Sequence, residues 1–140
     1  MQQQISVITL GIADVARSRR FYQDGFGWKP IFENDEVTFY QMNGLMLGTW
    51  LTPKLEEDMK RSGLERAGAF ALAHNVMSED AVQPLLEKLV AAGGKLLRAG
   101  DAPEHGGFRG YVADPDDHAW EIAWNPAWKI DQQGLVTFGT

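Results

Sequence analysis

Glu121 is the residue of this chain whose type and position most favour a chemical role. It lies in the segment 119–124, where Trp120, Ile122 and Trp124 alternate with two alanines and Glu121. Alternate side chains of a β-strand point to opposite faces, so Glu121 is predicted to be the one charge on a face of small residues. An unpaired carboxylate in such surroundings is costly. We expect Glu121 to pair with a cation of the chain, to meet a cationic group of a ligand, or to act as a general base.

The segment around Glu121 is predicted to be a β-hairpin. Residues 108–113 and 119–124 are rich in aromatic and branched side chains, and Asp, Pro, Asp and Asp at 114–117 form a strong turn signal between them. Arg109 lies in the first of these strands and is the nearest candidate partner for Glu121. His105 lies in the preceding loop with two glycines and is a candidate for ligand contact. An internal salt bridge or a solvated carboxylate explains Glu121 equally well.

The composition fits one domain with a hydrophobic core. The chain has 140 residues, of which 44% are hydrophobic, and a formal net charge of -6. An acidic chain argues against a nucleic-acid surface, which needs clustered Lys and Arg. No segment approaches the roughly 18 apolar residues of a membrane span, and no cysteine is present for a disulfide or a thiolate metal site. We therefore expect a cytoplasmic protein without a nucleic-acid or membrane partner.

The elements that must position Glu121 form a repeated pattern. In the first third, a strand at 5–12 is followed by a helix capped by Asp14 and by strands at 29–33, 37–41 and 45–51. A strand at 69–76, a helix capped by Ser78, a strand at 95–98 and the hairpin repeat this order. The sequence thus predicts a single α+β domain over 1–140, with one βαβββ module at about 5–52, a linker at 53–67, a second module at about 68–126 and a tail at 127–140.

Two gapless overlays support a duplication of the module. Placing Val7 on Ala71 aligns the first strands and sets the helix caps on each other. Placing residues 44–50 on 118–124 aligns the last strands and sets Leu47 on Glu121 and Trp50 on Trp124. In these overlays His74 shares the helix-facing side of its strand with Leu72.

Two motifs in this order resemble the vicinal oxygen chelate superfamily, which includes glyoxalase I, extradiol dioxygenases, fosfomycin-resistance transferases and bleomycin-binding proteins. The first is Asp-x-x-x-Ser-x-x-Phe-Tyr-x-x-x-x-Gly-Trp from Asp14 to Trp28, and the second is Asp-Pro-Asp-x-His-x-Trp-Glu at 114–121. The resemblance covers about residues 5–128. It implies that the curled sheets of the two modules form a half-open barrel cleft, in which the enzymes of the group hold a metal. It does not imply one particular reaction.

The metal ligands implied by the resemblance are mostly replaced in this chain. The first-strand position falls on Val7, the fourth-strand position near Leu47 and the fifth-strand position on Ala71, and only the last-strand carboxylate is retained, as Glu121. A shift of a residue or two would admit Thr9, Met46 or His74. A bound divalent cation needs about three protein donors, so a cofactor is not expected, although a divalent metal stays possible.

The sequence therefore predicts a cleft protein of this superfamily that binds a small organic molecule, and a homodimer by analogy with its relatives. The alternative is a metal-dependent lyase or glyoxalase-like enzyme that acts on a small oxygenated metabolite, with Glu121 as base or ligand. The candidate catalytic residue is Glu121. The candidate ligand-binding residues are Val7, Thr9, Leu47, Trp50, Ala71, Ala73, His105, Arg109 and Glu121.

Overall fold

A computed structural model of the chain, which describes residues 1–138, contains the two predicted βαβββ modules. The first module comprises β1 (Val7–Ile12), α1 (Val15–Arg19) with a π-helical continuation (Arg20–Gly25), β2 (Pro30–Glu33), β3 (Val37–Gln41) and β4 (Met46–Leu51). The second comprises β5 (Ala71–Asn75), a 3-10 turn (Glu79–Ala81), α3 (Val82–Ala91), β6 (Lys95–Asp101), β7 (Phe108–Ala113) and β8 (Ala119–Trp124). Helix α2 (Thr52–Met59) lies between the two modules and begins one residue before the predicted linker at 53–67.

Each module forms its own four-stranded sheet, and the sheets do not close into a barrel. The strand orders are β1-β4-β3-β2 and β5-β8-β7-β6. In both sheets the first strand pairs in parallel with the last strand of its module. This shared order confirms the α+β fold of repeated modules.

The strand register corrects the overlay of β4 on β8. Val7 pairs with Met46 in the first sheet, and Ala71 pairs with Ala119 in the second. If Val7 is equivalent to Ala71, the residue equivalent to Glu121 is Gly48, whereas the overlay placed Leu47 there. The overlay was one residue out, because it matched two tryptophans that lie on opposite faces. A slip of one residue in a strand turns every side chain to the other face.

The inner faces of the two sheets share one hydrophobic core. Tyr22 lies at its centre and is fully buried, with the rings of Phe26, Trp28, Tyr40 and Trp120 at centroid distances of 5.8 to 6.2 Å. Helix α3 contributes the buried residues Val82, Leu86 and Leu89 to the same cluster. Burying a large apolar side chain stabilises a fold by roughly 1.5–3 kcal/mol, so this core holds the modules together.

A buried carboxylate joins the two modules through the centre of this core. Asp114 is 3% exposed, and its Oδ2 accepts a hydrogen bond of 2.6 Å from the Tyr22 hydroxyl. The indole N–H of Trp120 donates to the same hydroxyl at 3.2 Å. Asp114 Oδ1 accepts from the backbone amides of Asp116 and His118 at 2.9 Å each. Burial raises the pKa of Asp114, and burial and the nearby Asp114 raise the pKa of Tyr22.

The same turn also binds the end of β1. The Nε2 atom of His118 lies 2.8 Å from the carbonyl oxygen of Gly11. Asp116 Oδ1 accepts hydrogen bonds of 2.8 Å from the amide of Ala13 and from the guanidinium of Arg17. The Asp-Pro-Asp-x-His motif therefore connects the modules.

The tail folds back over the first module as an antiparallel hairpin of β9 (Trp128–Ile130) and β10 (Val136–Phe138). The Asn43 amide, in the turn between β3 and β4, donates a hydrogen bond of 2.9 Å to the carbonyl oxygen of Gln133. This contact places residues 130–136 beside the junction of the two modules.

Candidate functional site

Glu121 lies on the outer face of the second sheet, which is the face turned away from the hydrophobic core. Its neighbours across the strands are Ala73 on β5 and Tyr111 on β7. The Tyr111 hydroxyl donates a hydrogen bond of 2.7 Å to Glu121 Oε2. This bond is the main cause of a raised pKa of Tyr111, because ionising the phenol would place two negative charges together.

Arg109 does not pair with Glu121, although the sequence suggested that it would. Its guanidinium forms an ion pair with Asp101, and Asp101 also binds the guanidinium of Arg98 at 2.9 Å. The hydrogen bond from Arg98 is the main cause of a lowered pKa of Asp101. These three charged residues lie on the same face as Tyr111, since Arg98 pairs with Tyr111 and Asp101 with Arg109 in the strand register. The outer face thus carries a phenol and a carboxylate beside an ion cluster.

The first sheet presents a different outer face. Val7, Thr9 and Trp50 lie on it, and Thr9 pairs with Gly48, the counterpart of Glu121. A Cβ atom at Gly48 would lie 2.9 Å from the ring of Phe39, so the packed phenyl ring occupies the space of a side chain. The first module therefore offers no donor atom at this position.

The structure does not bring all the candidate residues together. Ala71 and Ala73 lie on the outer face beside the strand of Glu121. Leu47 is 2% exposed, belongs to the core cluster and faces the opposite way from Thr9. His105 lies exposed in the loop between β6 and β7. His74 lies on the core side, as its strand parity predicted, and its ring contacts the edges of Phe26 and Trp28.

The donor set does not fit a divalent metal. Glu121 supplies a carboxylate, but Ala73, Ala71, Val7 and Gly48 supply no side-chain donor. Within residues 1–138 no group of three or more His, Cys, Asp or Glu side chains is placed to hold a metal ion. Catalytic zinc sites use three protein ligands, so we derive no step through a metal.

Tyr111 and Asp101 were missed in the sequence analysis. The signal for Tyr111 was available, because strands at 108–113 and 119–124 joined by the five residues 114–118 set Tyr111 opposite Glu121 in the hairpin. The position of Asp101 beside Arg109 could not be predicted in this way, because the pairing of β6 with β7 contains register shifts on both sides of Arg98.

The fold of paired βαβββ modules matches that of solved glyoxalase-like structures. A family model described as Glyoxalase/Bleomycin resistance protein/Dioxygenase superfamily matches residues 4–122, and the chain belongs to this superfamily. The crystal structure of a glyoxalase-related enzyme from Fulvimarina pelagi is similar to the chain, with a TM-score of 0.97 and 60% identity over 99% of this chain and 100% of that one.

Two further relatives bear names linked to particular functions. The metallothiol transferase FosB of Lysinibacillus sphaericus (strain C3-41) is 26% identical over 122 residues, covering 86% of this chain and 81% of the relative. The fosfomycin resistance protein FosX of Listeria monocytogenes shares the fold, with a TM-score of 0.68 and 21% identity over 89% of this chain and 95% of that one. Among residues 1–138, none of the helices has both the length and the apolar character needed to cross a bilayer.

Proposed function

We propose that this protein binds a small organic molecule at the outer face around Glu121 and that it does so without a full metal site. The observation that carries the proposal is the pairing of Glu121 with Tyr111 among small residues. One oxygen of Glu121 accepts a hydrogen bond from the Tyr111 phenol, and Ala71 and Ala73 beside it supply no donor atom. The metal donors of the superfamily are replaced by side chains without donor atoms.

The face favours a ligand with a hydrogen-bond donor. Among the described residues, Tyr111 engages only Oε2 of Glu121, which leaves Oε1 for a hydroxyl or an ammonium group of a ligand. Ala71, Ala73 and Ala119 line the strands beside Glu121 and leave space above the sheet. Hydrogen bonds to a charged group contribute about 1.5–3 kcal/mol, so one such contact would orient a ligand over the alanines.

The protein is further proposed to be a homodimer in which a second copy covers the outer face of the first sheet. Val7 and Phe32 lie on the outer face of the first sheet and are 46% and 50% exposed. Exposed apolar patches on a sheet mark interaction surfaces. Sedimentation of the protein should give the mass of two chains, and Phe32→Glu should shift it to that of one chain. A monomer at all concentrations would refute this assembly.

The cysteine-free composition favours a cytoplasmic location, which cell fractionation would test.

A ligand screen read by thermal stability tests the binding proposal. Small molecules with hydroxyl or ammonium groups should raise the melting temperature of the protein, because a ligand that binds only the folded state stabilises it. Glu121→Gln should abolish the shift, and Glu65→Gln, at an exposed position distant in sequence from the site, should preserve it. Hits that stabilise the Glu121→Gln variant as strongly as the original protein would contradict the assignment of the site.

The second candidate is a metal-dependent lyase or glyoxalase-like enzyme with Glu121 as base or ligand. The 26% sequence identity with a protein named metallothiol transferase favours this second candidate. Turnover of a small oxygenated metabolite that requires added Ni²⁺, Zn²⁺ or Mn²⁺ and is lost in Glu121→Gln would establish this function. Ligand binding that is unaffected by chelators would count against it.

A further inference from the structure

A cavity lies between the two modules, beside the edge strand β5. Two adjoining spaces of about 510 and 450 Å³ share a common set of lining residues. The shared residues are Trp28, Met42, Asn43, Ala73, His74 and two residues of the tail. We call the joined space the junction cleft. Glu121, Tyr111 and Arg109 do not line it.

Three separate parts of the chain build the junction cleft. The first module contributes Trp28 and the turn after β3, and the second contributes the edge strand β5 with His74. The tail residues Gly134 and Val136 close the third side, held there by the hydrogen bond from Asn43 to Gln133. Binding sites for small molecules commonly lie at such junctions, have volumes of about 300–1,000 Å³ and combine aromatic walls with few polar groups.

The wall of the cleft combines aromatic and apolar side chains with the polar side chains Lys29, Gln41, Asn43, His74 and Asn75. Trp28 lines both spaces, with Tyr40 in one and Trp120 in the other. Leu47, expected from the sequence to lie near Glu121, lines the cleft instead. Aromatic side chains prefer offset-stacked or edge-to-face contacts with a further ring. The cleft therefore suits a flat, aromatic molecule.

His74 is a polar side chain that lines both spaces of the cleft, as does Asn43. Its imidazole makes no hydrogen bond to another residue among those that the structure describes, although it is half-buried. Burial lowers the pKa of His74, so the ring is neutral near pH 7 and presents one donor and one acceptor. A half-buried polar ring without a protein partner beside a cavity is available to a ligand.

Lys29 gives the cleft its charge. It lines the larger space, and it is the one charged side chain among the described residues that line either space. Lys29 is exposed and forms no ion pair with a residue of the described chain. An anionic group of a ligand would form an ion pair with the Lys29 ammonium.

We propose that the junction cleft binds an aromatic carboxylate, with the ring against Trp28 and His74 and the carboxylate toward Lys29. The site does not include Glu121, Tyr111 or Arg109, because it lies along the edge strand β5 and the tail. A ligand in the cleft would contact both modules and the tail at once.

Calorimetric titration of the full chain with three indole probes tests the proposal. Indole-3-acetate, indole-3-ethanol and tryptamine share a ring and differ in charge. We expect the acetate to bind most tightly and the amine least. Lys29→Gln should weaken binding of the acetate about two- to five-fold, which is the range of an exposed ion pair, and should leave binding of the alcohol unchanged. Lys95→Gln, at an exposed lysine of β6, is the matched control and should alter neither.

Changes at His74 test whether the indole probes bind in the junction cleft. His74→Leu should weaken binding of both the acetate and the alcohol, and His74→Asn serves in its place if the leucine variant fails to fold by circular dichroism. Absence of acetate binding at millimolar concentration would overturn the proposal. So would tighter binding of the amine than of the acetate, or acetate binding that is unaffected by the changes at both Lys29 and His74.

Discussion

The hydroxyl of Tyr111 donates a hydrogen bond of 2.7 Å to Glu121 across the neighbouring strands β7 and β8. The pair combines the carboxylate that the sequence identified with a phenol that it did not. Arg109 is instead engaged by Asp101. The remaining oxygen of Glu121 is therefore the atom to which the proposed ligand would donate a hydrogen bond.

The titration of Tyr111 should depend on Glu121. The hydrogen bond to Glu121 is the largest cause of the raised pKa of Tyr111, so Glu121→Gln should lower this pKa toward the ordinary tyrosine value of about 10. The difference in ultraviolet absorbance between the protein and its Tyr111→Phe variant isolates this residue. An unchanged Tyr111 titration in Glu121→Gln would show that the bond is absent in solution.

The same bond should contribute modestly to stability. Tyr111→Phe should lower the free energy of unfolding by about 0.5–1.5 kcal/mol at neutral pH. Because the folded-state pKa of Tyr111 is raised above its unfolded value, this contribution is complete below about pH 10 and is lost as the pH rises through the folded-state pKa. Urea unfolding at neutral and alkaline pH measures both values. Equal losses at the two pH values would contradict the prediction.

Tyr22→Phe should be more damaging, because it leaves a buried carboxylate without its phenol donor. We expect the free energy of unfolding to fall by about 1–3 kcal/mol at neutral pH. The raised pKa of Asp114 means that this carboxyl is protonated first as the pH falls, and a neutral carboxyl needs the donor less. The difference between the variant and the original protein should therefore shrink in acid.

Tyr40→Phe is the matched control for Tyr22→Phe. Tyr40 is also a buried tyrosine, but its hydroxyl accepts a long hydrogen bond of 3.4 Å from Gln23 instead of donating to a buried carboxylate. Tyr40→Phe should lower the free energy of unfolding by less than Tyr22→Phe does. This loss should change little as the pH falls. A Tyr22→Phe effect no larger than that of Tyr40→Phe would argue against a role of the buried carboxylate in joining the modules.

The His118 side chain should be needed to join the modules. His118→Ala removes the contact with the Gly11 carbonyl, and we expect a loss of about 0.5–1.5 kcal/mol in the free energy of unfolding. His105→Ala, at an exposed histidine, should change stability little. Amide hydrogen exchange should also increase at the end of β1 in His118→Ala. Equal effects of the two histidine changes would contradict this role.

Restoring donors should create a metal site beside Glu121. Ala71 and Ala73 lie on the outer face, and Ala73 pairs directly with Glu121. The double variant Ala71→His, Ala73→His adds two imidazoles to one carboxylate, which reaches the three donors of a catalytic zinc site. Calorimetry should detect Zn²⁺ binding in this variant, and a further Glu121→Gln change should weaken it. Zn²⁺ binding of the same affinity by the unaltered chain would contradict the account.

Local sequence patterns were sufficient to predict the two modules. They were not sufficient to predict the pairing of every strand residue or the face on which it lies. Hydrophobic alternation, helix caps and the turn at 114–117 are local signals, and they predicted both modules and the outward direction of Glu121. Leu47 was misplaced because the register of β4 depends on its pairing with β1, far away in the sequence. The partner of Arg109 was missed for a similar reason, since Asp101 reaches it only through the irregular pairing of β6 with β7. The junction cleft depends on the tail, which no local pattern placed.

The most direct test of the central claim is the metal content of the protein, measured by mass spectrometry after purification without chelators and again after incubation with Ni²⁺, Zn²⁺ or Mn²⁺. A face with a single carboxylate among alanines predicts much less than one tightly bound ion per chain in every case. One ion per chain that survives dialysis and is lost in Glu121→Gln would contradict a metal-independent site.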